Sequence, residues 1–146
     1  MQYRDATIED AALLGDLNHQ LIEDEGHRNP MSREELAERM VQWLESDYRA
    51  ILFEQGSATV AYALFRNGQD SVYLRQFFVQ RPFRRSGVGK RCIEILRSEV
   101  FPQDKRITVD VLSHNSAAIS FWRAVGFSDY CLTLEASPKR HAADNS

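Results

Sequence analysis

The chain has 146 residues, 43% of them hydrophobic, and a formal net charge of −3; that suits one domain around one core, and no apolar run approaches membrane-spanning length. The first seven residues lack a charged head leading into an apolar stretch, so neither export nor anchoring is expected and the protein reads as cytoplasmic. Cys92 and Cys131 stand far apart, without His or Cys at ligand spacing, which argues for reduced thiols and no metal centre.

Residues 2–4 read as a short first strand. Thr7 with Asp10 three residues on has the pattern of a helix N-terminus, and Ile8, Ala11, Leu14, Leu17 and Leu21 then recur at helical spacing up to a stop at Gly26. A second helix opens on the capping box Ser32-Arg33-Glu34-Glu35 and carries Leu36, Met40, Trp43 and Leu44 on one stripe. Residues 48–54, 59–66 and 72–79 are rich in β-branched and aromatic side chains and are separated by short polar turns, which predicts three antiparallel strands. Val88, Cys92, Ile95, Leu96 and Val100 predict a third helix ended by Phe101-Pro102. The alternation of Ile107, Val109 and Val111 predicts a fifth strand. Ala118, Phe121, Trp122 and Val125 predict a fourth helix stopped by Gly126, and residues 130–135 a last strand.

The expected order is therefore β-α-α-β-β-β-α-β-α-β, an α/β fold with a mixed sheet whose fourth and fifth strands are parallel. One domain should span residues 1–136, with a polar tail over 137–146. On the fourth strand Tyr73, Arg75 and Phe77 alternate on one face, where Tyr73 and Phe77 could equally be core.

Chemistry concentrates in Arg84-Arg85-Ser86-Gly87-Val88-Gly89-Lys90. This segment links a strand to a helix whose first N–H groups lack intrahelical partners, an arrangement that binds anions. Gly87 and Gly89 let an anion reach the backbone, while Arg84, Arg85 and Lys90 add positive charge. A P-loop would need glycine at Arg84 and Ser or Thr at Arg91, and a dinucleotide fingerprint would need glycine at Cys92. Both patterns fail. Residues 1–50 hold 12 acids against 5 bases and residues 81–106 hold 8 bases against 3 acids. That asymmetry fits a cationic acceptor beside a polyanionic cofactor, or two solvated helix faces, the commoner reading for the acidic half. The acid-rich first fifty residues count against a nucleic-acid surface.

Arg84-x-x-Gly87-x-Gly89, preceded by Val79-x-x-Pro82, resembles the cofactor loop of the GNAT acetyltransferase superfamily. Asn115-x-x-Ala118-x-x-Phe121-Trp122-x-x-x-Gly126-Phe127 is similar to the superfamily's second motif. The resemblance implies acetyl-CoA lying between splayed middle strands, with its pyrophosphate on the backbone of Arg84, Arg85, Ser86, Gly87, Val88, Gly89 and Lys90. It implies pantetheine pairing with the main chain of Phe77, Phe78 and Val79, where one N–H faces the thioester oxygen. Phe121 and Trp122 fall with the cofactor by the same resemblance. Asn115 either holds the pantetheine arm or caps its helix.

The resemblance further implies an N-acetyltransferase acting on a primary amine of a small molecule or peptide, by direct attack in a ternary complex. Base candidates are Glu23 and Glu25, with Asp24 and His27 beside them, and His114 before the fourth helix. Trp122 stands where many members carry a tyrosine that protonates the leaving sulfur, which leaves Tyr130 or solvent for that task. A non-catalytic acyl-CoA-binding or sensing domain is the alternative. With one closing strand instead of the family's two, an open edge suggests a homodimer.

Overall fold

A computed structural model describes residues 1–26 and 28–139; His27 and residues 140–146 of the expected tail lie outside the described residues. Strand β1 (Gln2–Asp5) leads through a 3-10 turn into helix α1 (Ala11–Glu25), followed by α2 (Arg33–Leu44). Next come β2 (Tyr48–Gln55), β3 (Ala58–Asn67), β4 (Ser71–Val79), helix α3 (Val88–Ile95), β5 (Arg106–Thr108) and α4 (Ser116–Ala124).

The caps follow from the local sequence. The Thr7 N–H donates to Asp10 Oδ2 at 2.8 Å, and Gly26 ends α1 at φ 62°, a left-handed conformation that glycine adopts at little cost. At α2 the box closes in both directions, from the Glu35 N–H to Ser32 Oγ at 3.2 Å and from the Ser32 N–H to Glu35 Oε1 at 2.9 Å. Helix α3 continues as a π-helical turn, Leu96–Val100, closed by the Phe101 N–H on the Leu96 carbonyl at 2.7 Å.

The five strands lie in chain order, antiparallel from β1 to β4. β5 is parallel to β4, as α3 requires of a crossover. That last pairing covers only Ser71 to Tyr73 against Arg106 to Thr108, so β4 runs on to Val79 without β5 beside it. Helices cover both faces. One core joins Ile51, Phe53, Ala63 and Phe65 to Cys92 and Leu96, with Phe77, Phe121 and Trp122 packed against it. The other joins Leu52, Tyr62, Leu64 and Phe78 to Leu14, Leu17 and Met40.

Two expectations are overturned. Leu64 pairs with Gln76 but Phe65 with Leu74, so Arg75 is an extra residue in β4, a β-bulge. The bulge breaks the alternation. Arg75 lies with Tyr48 and Trp43 on the α1/α2 face, while Phe77 packs on the α3/α4 face, so the two do not share a face. The sixth strand is the second correction: residues 130–135 form no strand. A strand needs a neighbour, and β5 offers three residues. Tyr130, Leu132 and Leu134 stay 75%, 75% and 83% exposed. Their segment is tied down by the Arg106 guanidinium 5.3 Å over the Tyr130 ring and by Glu135 on Arg28 at 3.0 Å. The fifth strand is likewise shorter than the Ile107–Val111 alternation predicts.

Candidate active site

The loop from Arg84 to Lys90 rises from the end of β4, where β5 has already diverged. Its backbone is bent into an unusual shape, with Arg85 at φ 64° and Gly87 at φ 80°. A non-glycine residue in that region is uncommon and calls for an explanation in its surroundings. The cause is visible in the anchors on both sides of it. Ser86 Oγ donates to the Phe83 carbonyl at 3.0 Å, and Arg84 Nε donates to the Val79 carbonyl at 2.7 Å. Gly87 then caps α3 with no neighbouring atom within 4 Å of a Cβ placed on it. Glycine is needed there for the backbone angle, and open space lies over the first amides of α3.

Gly89 is needed for a different reason. A Cβ there would stand 2.9 Å and 3.2 Å from two carbons of the Phe121 ring and 3.6 Å from Val79 Cγ2. The second glycine of the first motif therefore admits the aromatic residue of the second, and the two motifs meet as one packing unit. Phe77 stacks on Phe121 with centroids 6.0 Å apart. Trp122 packs edge-on against Phe77, Phe121 and Phe127 at 5.7, 5.1 and 5.0 Å. Asn115 is engaged as an N-cap, its Oδ1 accepting from the Ala118 N–H at 3.1 Å.

Helix α1 reaches the loop through Asp24. Its two carboxylate oxygens accept from Arg81 and Arg84, each at 2.6 Å, and its side chain is 19% exposed. Desolvation would raise this carboxyl, but the hydrogen bonds and charges of Arg84 and Arg81 outweigh it and hold it below its ordinary value. Of the loop cations, Arg84 is thus committed to Asp24. Arg85 and Lys90 are exposed and enter no ion pair among the described residues.

The remaining acids are dispersed. Glu23 is 63% exposed and pairs with His19 one turn back at 2.7 Å. The Glu25 charge is felt by the fully buried phenol of Tyr62, and its backbone carbonyl lies 3.3 Å from His114 Nε2. His114 and the end of α1 therefore meet across the gap between the diverging strands. Tyr130 stands at the far end of β5 with Arg106; the structure does not bring it to the Trp122 cluster. Burial pushes the Cys92 thiol up to about 12, which removes it as a nucleophile.

The α1/α2 face of β4 holds groups that sequence spacing does not bring together. Tyr62 donates to Gln76 Oε1 at 2.8 Å. Tyr73 donates to Asp110 Oδ2 at 2.8 Å across the start of the divergence. Burial, then the bond to Asp110, raises the Tyr73 phenol to about 12. Asp110 had one signal in the sequence, a lone acid within the apolar alternation of Ile107, Val109 and Val111. Among the described residues no three His, Cys, Asp or Glu side chains converge as metal ligands, and no helix is long and apolar enough to cross a membrane.

Comparisons with known proteins agree with this architecture. A family model described as an acetyltransferase (GNAT) domain matches residues 13–136. A variant of the BH1408 protein from Bacillus halodurans superposes with a TM-score of 0.76 at 20% identity, over 95% of this chain and 100% of that one. The aminoglycoside N-acetyltransferase AAC(6')-Iy in complex with CoA gives 0.75 at 15% identity, over 95% of each chain. A predicted acetyltransferase with acetyl-CoA from Clostridium acetobutylicum gives 0.70 at 17%, over 93% of this chain and 95% of that one. No curated protein matches the sequence. At such identities the superpositions speak for the fold alone, but the family model spans most of the chain, and the protein belongs to the GNAT acetyltransferase domain family.

Proposed function

We propose that the protein transfers the acetyl group of acetyl-CoA to a primary amine of a small molecule or peptide, by direct attack in a ternary complex. One observation carries the reading: β4 loses β5 after Tyr73 yet continues six residues to Val79, leaving a slot roughly 20 Å long at about 3.3 Å per residue. The slot ends at the Gly87 cap. An extended pantetheine arm would pair with the main chain at Phe77 and Phe78, with the Val79 carbonyl already taken by Arg84. Its pyrophosphate would lie on the first amides of α3, between Arg85 and Lys90.

In the transfer the amine nitrogen forms a bond to the acetyl carbon, the carbon–sulfur bond breaks, and the amine gives up a proton. The aromatic packing around Trp122 leaves that position no hydroxyl with which to protonate sulfur. CoA therefore departs as thiolate, a tolerable leaving group at a thiol pKa of about 8.5. Glu25 is the better placed of the two base candidates, since its charge reaches the buried Tyr62 phenol and its backbone meets His114, whereas Glu23 is 63% exposed. We further propose a cytoplasmic homodimer held by the exposed Tyr130, Leu132 and Leu134, which light scattering at micromolar concentration reads directly.

The test incubates the protein with acetyl-CoA and a broad panel of amines, following thiol release and thermal stability together. Stabilisation with turnover supports the reading. Stabilisation without turnover on any amine assigns the protein to the binding or sensing class, as the indole at Trp122 would suit, and no stabilisation removes acetyl-CoA altogether.

A further inference from the structure

We propose that the face of β4 turned towards α1 and α2 recognises an amine acceptor that also carries a carboxylate, with the Arg39 and Arg75 guanidiniums as its anion site. Both guanidiniums stack on one indole: the Cζ atoms of Arg39 and Arg75 lie 4.4 Å and 5.0 Å from the Trp43 ring centroid. Arg75 is the bulge residue, two positions before Phe77, so its backbone sits at the mouth of the slot.

Arg4, Arg28, Arg33, Arg49, Arg81 and Arg84 each pair with an acid, whereas Arg39 and Arg75 have no carboxylate partner among the described residues. This is not for want of acids nearby. On α1 and its approach, Asp10 is committed to Arg4, Asp16 to Arg33, Glu23 to His19 and Asp24 to the cofactor loop. Four acids of α1 and its approach are thus bound to other bases, and none of them reaches Arg39 or Arg75. Desolvation, and after it the like charge of Arg75, lowers the proton affinity of Arg39. A cation held partly out of water beside another cation is costly unless an anion joins them.

The two groups are also fixed in place. Arg39 Nη2 donates at 3.0 Å to Oδ1 of Asn18, which is itself only 1% exposed. Arg75 Nη1 donates to the Tyr48 hydroxyl at 3.3 Å. Stacking and these bonds orient the planar forks before any ligand arrives, so little freedom is lost when a carboxylate docks. Asp110 supplies the complementary charge. It holds Tyr73, whose phenol also feels the Arg75 cation, so acid and guanidinium flank one ring at the point where the strands part. An acceptor with an ammonium at one end and a carboxylate at the other, such as an α-amino acid, matches that polarity.

The substrate class rests on the acetyl-transfer reading, but anion recognition does not, and the experiment separates them. Common amino acids and their matched carboxamides are compared twice, in kcat/KM by thiol release and in direct calorimetric titration of the CoA-loaded protein. The expected result is that at least one amino acid exceeds its carboxamide by about tenfold to a hundredfold, the usual weight of a hydrogen bond to a charged group. The exposed Arg75→Gln variant should lose that preference while keeping its affinity for CoA, and Arg75→Lys should restore part of it. Equal or better use of the carboxamides, a preference surviving in Arg75→Gln, or no carboxylate binding above its amide overturns the proposal. If acetyl-CoA neither binds nor reacts, the acetyl-transfer reading fails, while titration of the protein alone still decides the carboxylate site by the same ratio.

Discussion

The two faces of β4 are built on opposite principles. Towards α3 and α4 it presents Phe77 to an aromatic cluster whose members touch at centroid distances of 5.0 to 6.0 Å, and the Arg84–Lys90 loop beside it depends on backbone angles and on two missing side chains. Towards α1 and α2 it presents Tyr73, Arg75 and Gln76, each held by a polar partner. Shape specifies one side and charge the other. A binding site for a constant ligand suits the first, since backbone and packing are hard to alter piecemeal. A site for a variable ligand suits the second.

The largest blow to the shape side should come from Gly87→Glu. A left-handed L-residue costs roughly 1–2 kcal/mol, and a carboxylate over the α3 amides repels a pyrophosphate. Acetyl-CoA affinity should fall by about a hundredfold or more in calorimetry, whereas Gly87→Ala should show the conformational cost alone. Gly89→Ala comes next. Its methyl would sit 2.9 Å from the Phe121 ring, an overpacking worth about 1–3 kcal/mol in urea unfolding. Phe121→Leu in the same chain should recover part of that loss, and independent, additive effects would refute the contact.

Asp24 ties the two sides together, and its effect should be smaller. Asp24→Asn should raise the KM for acetyl-CoA about threefold to tenfold with kcat within about twofold, because it frees Arg84 without touching the reacting atoms. The carboxyl titrates below its ordinary value when folded, so the stability it contributes is present above the unfolded pKa near 4 and is lost as pH falls through the folded one. The difference in unfolding midpoint between wild type and Asp24→Asn should therefore be flat from pH 5 to 8 and shrink below about pH 4. The smallest effect should be that of Trp122→Tyr. If thiolate departs unaided, kcat changes by less than about threefold; a rise of a hundredfold, the usual gain from a general acid, would show that the proton is needed.

The same division explains what was legible in the sequence. Gly87 and Gly89 could be read because a left-handed angle and a close approach each demand one residue type at one place. Four helices and the first four strands were readable from periodicity and caps. The bulge at Arg75 was not, because one extra residue leaves the local composition unchanged and shows only in the register of two strands. Residues 130–135 alternate apolar and polar side chains as a strand does, yet pairing depends on a neighbour that the pattern cannot reveal. The proposed acceptor face gathers Arg39 from α2, Tyr48 from β2, Arg75 from β4 and Asp110 from beyond β5, and no local spacing links them. One hint was present: Arg39 lies four residues before Trp43 on a stripe that is otherwise apolar.

The bulge also shapes how this protein can change. Deleting Arg75 would restore strict alternation and leave every other side chain on its present face, since Leu74 already pairs with Phe65 and Gln76 with Leu64. Deleting Leu74 instead would bring Arg75 opposite Phe65 and into the apolar face. Acceptor preference should therefore be open to engineering both by substitution at Tyr73, Arg75 and Gln76 and by loss of the bulge itself, and a library aimed at new amines should randomise these three positions and include the Arg75 deletion.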